Sequence, residues 1–169
     1  SSGWQIDADF TKLISGEMRN ENQPMRRAFV APPVEVSREY DLGDSIMTAA
    51  VLAPFTGHTV QLTDLARLRL QETERVVALR TELTKCGAAV VESGDSLTFA
   101  PSSNPLHGAE IETYDDHRMA MCFAILGLKI PGIKIKNPSC VKKTFPNFFQ
   151  KLAGTQPHGL GVEIRDEAG

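Results

Sequence analysis

Two stretches of this chain follow one plan, and that repetition limits its possible folds more than any other feature. Met47-Thr-Ala-Ala-Val-Leu-Ala53 is followed by Gly57, a strand-like Thr59–Leu62, a loop and a helix from Glu72. Met119-Ala-Met-Cys-Phe-Ala-Ile125 is followed by Gly132, a strand-like Ile133–Ile135, a loop and a helix from Phe145. Such self-similarity predicts a duplicated helix–strand–helix–strand unit. Alternating helices and strands place the chain in the α/β class.

The remaining elements fit around this plan. Phe10, Leu13, Ile14 and Met18 recur at helical spacing. Arg27–Val30 and Val34–Ser37 read as strand pieces split by Pro32-Pro33, and prolines confine such pieces to sheet edges. A helix is expected from Asp44 to about Ala53, closed by Gly57, with His58–Leu62 as a strand. In Glu72–Lys85 the residues Val76, Leu79 and Leu83 make an apolar stripe, and Gly87 stands where a left-handed cap belongs. Ala88–Glu92 and Leu97–Ala100 flank Ser93-Gly94-Asp95, a hairpin signal. Ala109–Thr113 and Ile133–Lys136 read as short strands. Asp116–Leu126 is apolar nearly all round and is expected to be buried on most sides. A last helix is expected over Phe145–Leu152, then a glycine-rich loose tail with one strand-like piece, Gly161–Ile164.

Of the 169 residues, 41% are apolar and 23% charged, and the net charge is −3. That is a globular balance, too mild in charge to imply a nucleic-acid or membrane surface. No apolar run approaches the ~20 residues that span a bilayer. Cys86, Cys122 and Cys140 form no CxxC pair, which argues against a metal site or a disulfide framework and for a reducing compartment. The start, Ser1-Ser2-Gly3-Trp4, lacks the pattern of a signal peptide, so a cytosolic location is expected. Neither a Walker loop nor GxGxxG, HExxH or GxSxG occurs, and no cofactor or metal is expected.

In both repeats charged residues gather at helix starts. Asp44 precedes one helix, and Gln71, Glu72 and Arg75 open the next. Asp116, His117 and Arg118 open another, and Lys142, Lys143 and Thr144 precede the last. Cations at a helix N-terminus oppose the dipole, so Arg75, Arg118 and Lys143 call for an anion, which the free N–H groups would also bind. Each residue alone has a plainer reading. Asp44 and Asp116 serve as N-caps, Arg75 pairs with Glu72 or Glu82, His117 is a hydrogen-bonded structural histidine, and Lys143 is a solvated loop lysine. The parallel placement of the whole set favours a polyanion site.

These residues resemble one family. Thr113-Tyr-Asp-Asp-His-Arg-Met-Ala-Met121 is similar to a hallmark of the 5-enolpyruvylshikimate-3-phosphate synthases, and Asn137-Pro-Ser-Cys-Val-Lys-Lys-Thr-Phe-Pro146 resembles their C-terminal motif. Glu72-Thr-Glu-Arg75, Asp44-Ser-Ile-Met-Thr48 and, more faintly, Gln5-Ile-Asp-Ala-Asp-Phe10 resemble further segments of that family. The resemblance implies a fold of repeated βαβαββ units with buried parallel helices whose N-termini point at an interdomain cleft. It implies a partial copy of the C-terminal domain: residues 1–43 as the remnant of one unit, 44–108 and 109–153 as two units, and 154–169 as a tail.

It also implies the transfer of the enolpyruvyl group of phosphoenolpyruvate to the 5-hydroxyl of shikimate 3-phosphate, without a metal. By the resemblance, Asp44 is the base that meets the shikimate hydroxyls, and Glu72 and Lys143 move protons to and from phosphoenolpyruvate. Arg75 and Arg118 clamp its carboxylate, and Asp116 and His117 orient the site. Gln71 stands where the family usually has a lysine facing shikimate 3-phosphate, keeping a donor but losing the charge; Arg67 or Arg69 are the nearby candidates to replace it. The cleft's other half belongs to an N-terminal domain with no counterpart in this sequence, so the chain alone is expected to be silent. Two other readings are a non-catalytic anion-binding or assembly module that keeps the fold, and transfer to a UDP-sugar, which the Tyr114–Met121 and Cys140–Pro146 motifs fit less well.

Overall fold

Pro32-Pro33 cannot donate ladder bonds, and the first strand among the described residues forms directly after them. The structure, a computed structural model, describes residues 32–165 apart from 103, 156 and 158. The expected helix at Phe10–Met18, the strand Arg27–Val30 and the segment Gln5–Phe10 lie outside the described residues. β1 (Val34–Ser37) leads through a π-turn, Arg38–Leu42, and a 3-10 turn, Gly43–Ser45, into α1 (Ile46–Leu52). Then come β2 (Val60–Thr63), α2 (Arg75–Lys85), β3 (Ala89–Ser93) and β4 (Ser96–Ala100). The sheet order is β1-β2-β4-β3, with β1 parallel to β2 and the other pairs antiparallel. Among the described residues β1 is thus an edge strand, and Pro32-Pro33 stand directly before it. It lies ahead of the boundary at 44 and completes a β-α-β-α-β-β run from 34 to 100.

The second run has β5 (Glu110–Ile111), α3 (His117–Gly127), β6 (Lys134–Ile135), a 3-10 segment Pro138–Lys143 and α4 (Phe148–Ala153). β5 and β6 pair in parallel. Gly108 makes that pairing possible, because a Cβ there would strike the Gly132 carbonyl group.

Two cores flank α3. One flank, Met119, Cys122, Phe123 and Leu126, joins the main core with Ile46, Met47 and Val51 of α1, Val76, Leu79 and Leu83 of α2, and Leu97 and Phe99 of β4. The other, with Ala120 buried and Met121 and Ala124 packed on, meets Cys140, Val141, Phe148 and Leu152. All three cysteines are free and buried. Among the described residues no helix is long and apolar enough to cross a membrane.

Three of the expectations change for a local reason. α2 begins at Arg75 rather than Glu72, because the Glu74 carboxylate accepts the Val77 N–H at 2.6 Å and caps the helix there. That leaves 71–74 non-helical. The last helix starts at Phe148, since Pro146 disfavours helix at Phe145. Gly161–Ile164 forms no strand. Gly161 donates to the Gly154 carbonyl at 2.8 Å and Val162 to that of Leu152 at 3.1 Å. These backbone donors are spent on the end of α4, and Val162 packs on the second core, so this part of the tail is tied down rather than loose.

Candidate active site

Three helix starts meet at one place. The 3-10 turn before α1 brings Asp44, the segment before α2 brings Gln71 and Glu72, and the first residues of α2 and α3 bring Arg75, His117 and Arg118. These six residues line a cavity of about 500 Å³. Asp116 lies beneath it, fully buried, and Lys143 reaches it through Glu72.

The buried layer is an arginine–carboxylate fork. Arg75, only 2% exposed, donates through Nε to Asp116 Oδ2 at 2.7 Å and through Nη2 to Oδ1 at 3.1 Å. Two parallel bonds fix the plane of the guanidinium. Asp116 also caps α3, accepting the Arg118 N–H at 2.8 Å. The capping reading of Asp116 therefore holds, and the same carboxylate fixes Arg75. Arg75 donates further to the Gln71 amide oxygen and lies 3.8 Å from Glu72. Its other suggested partner, Glu82, faces away and receives Lys85 at 2.7 Å, the Tyr114 hydroxyl at 2.8 Å and the Glu112 N–H at 3.1 Å.

Glu72 sits between two nitrogens, with His117 Nδ1 3.0 Å from Oε2 and Lys143 Nζ 3.1 Å from Oε1. Asp44 does not act as a side-chain cap of α1. Its carboxylate instead meets Arg38 at 2.6 Å and Arg118 at 3.2 Å. Burial pulls the Asp44 carboxyl up, but the Arg38 hydrogen bond and the charges of Arg118, Arg38 and Arg75 outweigh it and hold it below its ordinary value.

The turn before α3 is unusual. Tyr114 (φ 54°) and Asp115 (φ 58°) are consecutive left-handed residues without being glycine, a conformation that costs energy and gathers at functional sites. Tyr114 is held by Glu82, and Asp115 accepts from Asn137, itself at φ 46°.

Arg69 does not supply the charge that Gln71 lacks. Its guanidinium is clasped by Glu74 (2.6 Å), Glu92 (2.8 Å) and Asp95 (2.9 Å), tying the segment before α2 to the β3–β4 hairpin. Arg67 is exposed and does not line the cavity. Sequence reasoning missed Arg38, which lies outside every motif. Its only signal was an arginine close to Asp44 in a polar turn. It missed the Arg69 clasp too, whose partners are far apart in sequence.

Glu72, Asp116 and His117 place possible ligand atoms within 4.8 Å of one another. Both Asp116 oxygens are engaged by Arg75, and the other two carboxylates already face cations, Asp44 meeting Arg118 and Glu72 meeting Lys143. That donor set suits an anion better than a cation. Each cation now faces an internal carboxylate, so an anionic ligand would exchange partners rather than enter an empty field.

Comparison with known proteins finds one family. The matching sequence family is EPSP synthase (3-phosphoshikimate 1-carboxyvinyltransferase), over residues 12–152. A 3-phosphoshikimate 1-carboxyvinyltransferase of Psychromonas ingrahamii is 46% identical over 145 residues, 86% of this chain and 30% of that protein. One of Nostoc punctiforme is 46% identical over 112 residues, 66% of this chain and 26% of that protein. The solved EPSP synthase of Acinetobacter baumannii is 28% identical, with a TM-score of 0.59 over 65% of this chain and 26% of its own. The chain thus spans between a quarter and a third of the length of these relatives.

Proposed function

The chain belongs to the EPSP synthase family, and on that premise we propose that it forms one wall of an enolpyruvyl transfer site, the other wall belonging to the part of its relatives' length that it does not span. The observation that carries this reading is the meeting of three helix starts around one cavity that Arg75 and Arg118 line, with Lys143 beside it on Glu72. Two anionic substrates, phosphoenolpyruvate and shikimate 3-phosphate, must be held together, and fixed cations do so.

In this reading Asp44 takes the proton of the shikimate 5-hydroxyl as its oxygen bonds to C2 of phosphoenolpyruvate. Glu72, flanked by Lys143 and His117, delivers a proton to the methylene carbon. Arg75 and Arg118 hold the carboxylate. Phosphate then leaves the tetrahedral adduct as Glu72 takes back a proton from the methyl group, which forms the enol ether. Gln71 offers an amide to shikimate 3-phosphate in place of a charge, and Asp116 fixes Arg75. The chain alone is silent, no cofactor is required, and the location is cytosolic.

The test joins this chain to the matching N-terminal part of the Psychromonas ingrahamii relative and follows phosphate release from both substrates. Release from the pair, absent from either part and lost with Glu72→Gln, is expected. A folded pair that binds phosphoenolpyruvate without releasing phosphate would instead favour the anion-binding module.

A further inference from the structure

Asp44 is gripped from two sides, and the two grips differ. Arg38 Nη2 donates to Oδ1 at 2.6 Å, whereas Arg118 Nη2 lies 3.2 Å from Oδ2. The Arg38 side chain is 13% exposed and that of Arg118 is 39% exposed. Arg118 lines the cavity and Arg38 does not. Arg38 also stands on a fastened turn. Ser37 Oγ accepts the N–H groups of Glu39 and Tyr40, each at 3.0 Å, and the Ser37 N–H donates to Asp41 at 2.7 Å.

We infer that Arg38 is a positioning residue that fixes Oδ1 of Asp44 from behind, so that Oδ2 alone exchanges between Arg118 and a hydroxyl of the ligand. The inference rests on the role proposed above for Asp44. A charge-assisted bond shielded from water is stronger than the same bond in solvent. Arg38 Nε is buried without a hydrogen-bond partner among the described residues. Releasing Asp44 would leave that guanidinium buried and poorly compensated, so this bond is the one that persists. The bond to Arg118 is longer and wetter, and Arg118 is where an anion can compete. A base with one oxygen fixed and one exchangeable presents its lone pair in a single direction, which favours proton removal from a hydroxyl in one position.

The charged groups facing Asp44 are Arg38 from the turn, Arg75 from α2 and Arg118 from α3. Asp41, on the same turn, is turned to Ser37. The test is a carboxyl-carbon NMR titration of Asp44 in the ligand-free chain, comparing the parent with Arg38→Gln, Arg38→Lys and Arg118→Ala. Arg38→Gln is expected to raise the Asp44 midpoint by about one pH unit, and Arg38→Lys to recover at least half of that. Arg118→Ala is expected to leave the midpoint below the ordinary value of about 3.9. An unmoved midpoint in folded Arg38→Gln overturns the inference. So does a return to the ordinary value in Arg118→Ala, and that arm decides the matter if Arg38→Gln does not fold. No substrate enters the titration, so a failure of phosphate release would count against the proposed function and not against the grip of Arg38.

Discussion

Asp116→Ala is expected to be among the most damaging single changes in the chain. Asp116 is 0% exposed and holds both forks of a guanidinium that is itself 2% exposed. Removing one partner of a buried ion pair costs about 3–5 kcal/mol, because the other charge stays behind in a dry setting. Gln71 and Glu72 remain near Arg75, which places the loss in the lower part of that range. Asp116 also caps α3, worth about 1 kcal/mol. The two contributions share Oδ1 and do not simply add. The expected total is about 4 kcal/mol, a large share of the roughly 5–15 kcal/mol of a typical domain. Asp116→Asn keeps an acceptor for the cap and should lose less, about 2–3 kcal/mol. The double change Asp116→Ala with Arg75→Met removes both charges and should return to within about 2 kcal/mol of the parent. Urea unfolding followed by circular dichroism, with slopes compared to exclude a change in the unfolded state, reads all four proteins. If Asp116→Ala costs no more than the cap, or the double change is no better than the single, the buried fork is not what holds these helices together.

Burial raises the Glu92 carboxyl, but Arg69 and Arg80 outweigh it and hold it below its ordinary value. The stability this gives is full above the ordinary carboxylate range and is lost as pH falls through the folded value. Arg69→Ala should therefore cost about 1–2 kcal/mol near neutrality and less in acid; melting curves that stay equally separated at both pH values would contradict the clasp. Gly108→Ala should lose about 1–3 kcal/mol by overpacking, read as a lower urea midpoint, because its Cβ would strike the Gly132 backbone. Burial pushes the Cys86 and Cys122 thiols up to about 11, so a thiol reagent should label them at the rate of unfolding. Prompt labelling of the native chain would show these thiols to be accessible.

The helices of the two repeats were legible because periodic apolar residues report burial directly. Val76, Leu79 and Leu83 are buried, and Gly87 adopts the left-handed conformation (φ 87°) that its position after the helix implied. The hairpin at Gly94-Asp95 was equally plain, with Ser93 opposite Ser96. β5 and β6 proved shorter than their apolar runs, since ladder bonds are set by neighbouring backbone rather than composition. The start of α2 was hidden because Glu74, not Glu72, finds the free N–H. The residues that line the cavity were legible through their motifs and through charges at helix starts. Arg38 and the Arg69 clasp were not, because their importance arises only when distant segments come together.

Helix α3 is apolar on both flanks and carries His117 and Arg118 at its end. An ordinary surface helix keeps a wet side on which sequence can drift freely. This one has little such side, and its permitted sequences are those that satisfy two separate packings at once. A change that enlarges one core pushes the helix into the other, and the displacement appears at its first turn. Substitutions at Met119 or Ala120 thus act on the cavity without touching it, and variation in this helix should come as compensated pairs rather than single steps.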